Sequence, residues 1–219
     1  CAAGKSVPLK KFFPEEGMRQ SMSSSEHRGV PEMSYPAKAA CSVGGFRRGA
    51  GPPPRRRASI WVKVMNVAIT GSGGFIGSHL SKRLEMFGHR VTPLRRYLFA
   101  QEGVDCLAQA LAGCHAVINL AGAPIDRRWT DAYKRELVES RIMTTRKLVE
   151  AVNRLHEPPG VMISASAVGY YGSSGGCHGE LDAPEADSFL AELCVAWEKE
   201  AWLVNSSVRL VLTRFGVVL

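Results

Sequence analysis

The chain has 219 residues, 45% of them hydrophobic, which is enough for one ordinary domain with or without a tail. Its charge is lopsided: residues 1–64 carry 12 basic and 4 acidic side chains, whereas residues 65–219 carry 16 of each. The net charge of +8 therefore belongs to the N-terminal stretch, and a nucleic-acid partner is not expected for the folded part. The six cysteines (1, 41, 106, 114, 177 and 194) form no Cys-x-x-Cys pair and have no histidine at ligand spacing. No metal site or disulfide framework is expected, and a reducing, cytoplasmic setting fits. No apolar run approaches the roughly 20 residues of a membrane helix, so no membrane partner is expected either.

In chain order, residues 1–64 come first, with seven of the twelve prolines, a serine cluster at 21–25 and the run Pro52-Pro53-Pro54-Arg55-Arg56-Arg57. Such a composition buries too little apolar area to offset ordering entropy, and the stretch is expected to be a disordered basic tail. Three origins are open: sequence upstream of a start at Met65, an organelle transit peptide, or a functional basic arm. An apolar, β-rich run at Trp61–Thr70 predicts the first strand, and Ile76, Leu80, Leu84 and Phe87 predict a helix over 75–87. A second strand is expected at Val91–Leu94, a helix at Leu107–Ala112 and a third strand at Ala116–Leu120. Thr130 is the expected N-cap of a continuous helix reaching Leu155, with Asp131 favourable in its first turn. Val161–Ala165, Ser188–Val204 and Val208–Thr213 read as strand, helix and strand. Apolar strands alternating with helices predict an α/β fold: a doubly wound parallel sheet of the Rossmann type, covered on both faces.

Between the first strand and the first helix stands Gly71-Ser72-Gly73-Gly74-Phe75-Ile76-Gly77. A glycine there permits the tight turn, another lets the backbone approach a pyrophosphate, and the last allows close strand–helix packing. The helix start then offers free N–H groups and a positive dipole end. Spaced glycines alone are a weak signal, but strand–loop–helix is the setting the motif demands. All seven residues are taken as cofactor-binding.

The spacing Gly71-x-x-Gly74-x-x-Gly77 resembles the extended branch of the short-chain dehydrogenase/reductase superfamily. The resemblance continues through residues 117–125, Arg128-Trp129-Thr130, Ser140-Arg141 with Thr144-Thr145-Arg146, residues 164–172, Trp197-Glu198 and residues 214–219. Together these are similar to the atypical, sugar-epimerase-like subgroup called the NAD-dependent epimerase/dehydratase family, over about 65–219. The resemblance implies a small-molecule, possibly sugar-like substrate, and adds Leu120, Ala121 and Gly122 to the cofactor site. It also implies that a C-terminal substrate domain is missing after Leu219, making 65–219 a truncated NAD(P)-binding domain. Oligomeric state is not legible.

NADP is expected rather than NAD. The second strand runs into Arg95-Arg96, where a carboxylate would otherwise receive the ribose 2′-OH, and a guanidinium suits a 2′-phosphate. A solvated basic loop is the competing reading. For catalysis, the resemblance places Ser166 at the superfamily's serine, just after the strand, and a turn serine binding backbone is the alternative. The superfamily's Tyr-x-x-x-Lys pair is absent: Leu190 and Cys194 stand in its places, and Arg141 stands where a structural asparagine is usual. Tyr170 and Tyr171 are candidate substitutes, or packing aromatics. Arg128 and Trp129 are candidate substrate contacts, and Cys194 is expected to be a buried, inert thiol. Two functions follow: an NADP-binding epimerase- or reductase-like protein, or a non-catalytic dinucleotide-binding sensor or interaction module.

Overall fold

The computed structural model describes residues 63–100, 104–172, 176–184 and 188–218. What was expected of residues 1–62 lies outside them. Strand β1 (Asn66–Thr70) leads through the glycine loop into α1 (Phe75–Met86), then β2 (Arg90–Leu94). Two short helices follow, α2 (Tyr97–Ala100) and α3 (Asp105–Leu111), before β3 (Ala116–Asn119). Helices α4 (Asp131–Val138) and α5 (Thr144–Asn153) are joined by a π-helical turn at Glu139–Met143. Then come β4 (Val161–Ala167), a 3₁₀ turn at Val168–Tyr171, α6 (Phe189–Trp202) and β5 (Arg209–Phe215).

All five strands are parallel, in the order β2-β1-β3-β4-β5. The sheet alternates its faces residue by residue. Val67, Ile69, Ala116 and Ile118 meet Leu80 and Leu84 of α1 on one side. Ala68, Val117 and Met162 meet Leu107, Leu111, Leu148 and Val152 of α3 and α5 on the other. Leu107, Leu111, Leu148 and Val152 are fully buried, and each such side chain contributes about 1.5–3 kcal/mol of burial energy. The strand order reverses between β1 and β3, so the crevice at their carboxyl ends is the topological switch point.

Three expectations need correction. The long helix is not continuous, because the wider π turn interrupts it at Glu139–Met143. A short helix at Tyr97–Ala100 was not foreseen. Strand β4 does not stop at Ala165: β3 pairs with it only as far as Ser164, but β5 pairs through Ala167, and this second partner carries the strand on. Ser166 therefore lies within β4, opposite Arg214, and not in the loop after it.

Candidate cofactor site

The glycine loop has the geometry its spacing predicts. Gly71 is left-handed (φ 67°), and a Cβ there would lie 2.8 Å from the Leu120 carbonyl oxygen. At Gly77 a Cβ would lie 2.2 Å from the Gly71 oxygen, so only glycine lets α1 start this close to the turn. The loop closes on itself through Gly74 N–H donating to the Gly71 oxygen at 2.9 Å. No side chain caps α1 at Gly74, and its first turn holds no acidic residue. The contrast with α4 and α6 is local and chemical. Their caps, Thr130 and Ser188, accept from Tyr133 N–H and Ala191 N–H, and each first turn carries a carboxylate. The start of α1 thus has no side-chain cap on its N–H groups and no carboxylate in its first turn, an arrangement that could receive an anion.

A buried hydroxyl that the sequence reading missed fixes the opposite wall. Thr70, at the end of β1, accepts at 3.0 Å from both Leu120 N–H and Ala121 N–H, and donates to Asn119 Oδ1 at 2.7 Å. Asn119 in turn donates to Thr145 Oγ1 and Ser164 Oγ, and Trp197 Nε1 also donates to Thr145. Thr70, Asn119, Thr145 and Ser164 are wholly buried. The only sequence signal was polar residues at the ends of otherwise apolar strands. In a dry interior these groups must satisfy one another, and in doing so they hold Leu120 and Ala121 against Gly71.

The π turn grips the next residue from the other side. Ser140 Oγ accepts from Ala123 N–H at 2.9 Å, and Arg141 Nη2 donates to the Ala123 oxygen at 2.9 Å. The Arg141 guanidinium packs directly beneath Gly122, where a Cβ would come within 3.1 Å of Cζ, and it lies over the Trp197 ring. Burial draws its pKa below the usual guanidinium value.

At the other end of the sheet, Ser166 is buried and donates to Glu198 Oε1 at 2.6 Å. Arg214 clasps the same carboxylate through Nε and Nη2, both at 2.8 Å. This hydrogen bonding to Glu198 holds the Arg214 pKa well above the usual guanidinium range. Arg214 lies 3.6 Å from the centre of the Tyr170 ring, and its Nη1 donates to Tyr171 Oη at 2.5 Å and to the Glu180 oxygen. Tyr171 donates to the Gly179 oxygen and stacks on His178. The three catalytic candidates thus gather around one ion pair. Cys194 is buried beside them, and burial raises its thiol pKa, in keeping with an inert thiol.

Arg95 and Arg96 are exposed at the carboxyl end of β2, whose last residue, Leu94, pairs with Thr70. Among the described residues neither guanidinium forms a salt bridge. Arg128 is exposed on the loop between β3 and α4, where Trp129 is pinned by a hydrogen bond to the Ile125 oxygen and an edge contact with Phe189. Tyr133 anchors this loop by donating to the Pro124 oxygen. Among the described residues no helix is long and apolar enough to cross a membrane.

A parallel sheet covered on both faces, with a glycine turn at the switch point, defines a Rossmann-type α/β protein. Residues 67–193 match the model of the NAD dependent epimerase/dehydratase family, and the chain belongs to that family. It is 37% identical over 171 residues to the chloroplastic epimerase family protein SDR39U1 homolog of Arabidopsis thaliana, covering 71% of this chain and 49% of that protein. The human epimerase family protein SDR39U1 is 35% identical over 161 residues, with 71% and 55% covered. The crystal structure of human SDR39U1 (isoform 2) with NADPH superposes with TM-score 0.63 at 34% identity, covering 71% of this chain and 55% of that one. A nucleoside-diphosphate sugar epimerase from Corynebacterium glutamicum superposes with TM-score 0.55 at 30% identity, covering 69% and 34%. The chain thus spans about half the length of the curated relatives it matches.

Proposed function

We propose that this chain is the NADP-binding part of an epimerase- or reductase-like protein. The observation that carries the proposal is the uncapped start of α1 at the switch point, closed by Gly71 and Gly77, where a Cβ would strike backbone. The chemistry of the donors fits a dinucleotide: backbone N–H groups for a pyrophosphate, then two exposed arginines at the end of β2, in no salt bridge among the described residues, for a 2′-phosphate. The NADPH in the human relative's structure supports the same choice. Bound, the nicotinamide would supply hydride transfer. The chain's own share is to hold the phosphates at Gly71–Gly77, wall the crevice with Leu120–Gly122, and keep water from one side through the β3–α4 loop. Arg128 and Trp129 stand on that loop for a small polar or sugar-like substrate, a class that rests on analogy with the sugar-nucleotide relative.

A second reading, binding without catalysis, is favoured by one observation. Ser166 donates its hydroxyl hydrogen bond to Glu198, and Tyr171 is held between Arg214 and Gly179, so these groups are committed to one another. In that reading Ser166, Tyr170 and Tyr171 position the sheet end. Fluorescence titration with NADPH and NADH tests the assignment. NADPH is expected to bind at least about tenfold more tightly, and Arg95→Asp with Arg96→Ala to remove that preference. Equal affinity for both nucleotides sinks the arginine argument. Replacing Ser166 by Ala in a full-length relative separates the readings, since unchanged turnover removes it from the reaction. As for compartment, we favour the cytoplasm. A reporter fused to residues 1–64 that enters an organelle overturns this, and a chloroplastic relative makes that test worthwhile.

A further inference from the structure

The Arg141 guanidinium does more than a staple requires. Gripping Ala123 takes hydrogen-bond donors, and a neutral amide has donors enough; it does not take a charge. Two of the five guanidinium N–H groups are spent, on the oxygens of Ala123 and Leu137 (2.9 and 3.4 Å). Among the described residues Arg141 has no carboxylate partner, in contrast to Arg146, Arg154 and Arg214, which all do. Its other neighbours are the Trp197 ring, the buried Cys194, the Tyr133 phenol and the backbone of Gly122, none of them a carboxylate. A partly desolvated cation without a counter-charge is costly, and that cost is recovered when an anion arrives. The position fits an arrival. Gly122 is exposed at the carboxyl end of β3, on the wall held against the glycine loop, and with no side chain there the guanidinium lies next to the surface of the crevice.

We propose that Arg141 is an anion-recognition residue: its guanidinium receives a carboxylate or phosphate oxygen of the ligand that occupies the crevice beside Gly122. This rests on the crevice being a ligand site and adds a second cationic contact, separate from Arg95 and Arg96. It also places a fixed positive charge next to Cys194, where the superfamily's lysine is absent. The anion has two possible sources, the dinucleotide itself or a second, acidic ligand, and both use the same chemistry.

The test uses the whole chain, with inorganic phosphate and malonate as probes, titrated by calorimetry with and without saturating NADPH. Arg141→Gln is expected to weaken either NADPH binding or probe binding at least about tenfold, the loss for one charge-assisted hydrogen bond. Loss of NADPH affinity assigns the anion to the cofactor. Loss of probe binding to the NADPH-loaded protein assigns it to a second ligand. Arg141→Lys, which keeps the charge, should retain more affinity than Arg141→Gln in whichever titration responds. If Arg141→Gln does not fold, Gly122→Ala supplies the reading, because its Cβ crowds the guanidinium without removing it and lowers the same affinity. Unchanged NADPH and probe affinities in the folded variants overturn the proposal, as does Arg141→Lys behaving no better than Arg141→Gln. Failure of the wild-type chain to bind NADPH strikes at the proposed cofactor function instead. Phosphate binding that depends on Arg141 would survive it.

Discussion

At the β1–β3 end of the sheet, the Gly71–Gly77 loop leads into α1 with no capping side chain and no acidic residue in the first turn. At the β4–β5 end, Ser166, Glu198, Arg214 and Tyr171 satisfy one another. Both ends hold polar groups at the carboxyl edge of the same parallel sheet, yet among the described residues the first leaves its helix-start N–H groups uncapped by any side chain. Donors left open at a glycine-lined turn suit the binding we propose. A carboxylate that accepts from a serine and from both prongs of an arginine is already complete and acts as a clamp between β4, β5 and α6.

Substitutions at the two ends should separate these roles. The largest effect is expected from Glu198→Ala, which leaves Arg214 without its counter-ion and Ser166 without its acceptor. We expect a loss of about 3–5 kcal/mol in urea unfolding, and a loss under about 1 kcal/mol would show that the clamp is not a closed unit. Next comes Gly77→Ala. The clash with the Gly71 oxygen is backbone against backbone and cannot be relieved by a rotamer, so about 1–3 kcal/mol is expected together with weakened NADPH binding. The smallest change belongs to Gly73→Ala. Nothing lies within 4 Å of a Cβ at that position, so stability should move by less than about 0.5 kcal/mol. Any loss of NADPH affinity in Gly73→Ala then reports the ligand alone, and a destabilisation as large as that of Gly77→Ala would mean the loop is packed where we find it open.

Much of this was legible in the chain, and particular residues show why. The glycine loop, the helix starts at Thr130 and Ser188, and the strands expected at 61–70 and 116–120 and found at 66–70 and 116–119 rest on local rules of spacing, capping and alternation. The π turn was not legible. Glu139–Met143 keeps helical spacing, and the turn shows itself only through Ser140 and Arg141 reaching Ala123, about 17 residues away along the chain. Ser166 was identified by resemblance, but its partner Glu198 lies 32 residues on, and no local pattern joins them.

By itself, then, the sequence determined the alternating parallel α/β plan, the glycine loop, the arginines after β2 and the absence of a Tyr-x-x-x-Lys pair. Each of these depends on contacts within a few residues or on residue identity alone. Tertiary structure decided where β4 ends, that Thr70 braces the second wall of the crevice, that Ser166 is turned onto an ion pair, and that Arg141 lies beneath Gly122 with no carboxylate partner among the described residues. These are matters of which distant polar groups meet in a dry interior, and there the cost of leaving any one of them unpaired selects the partner.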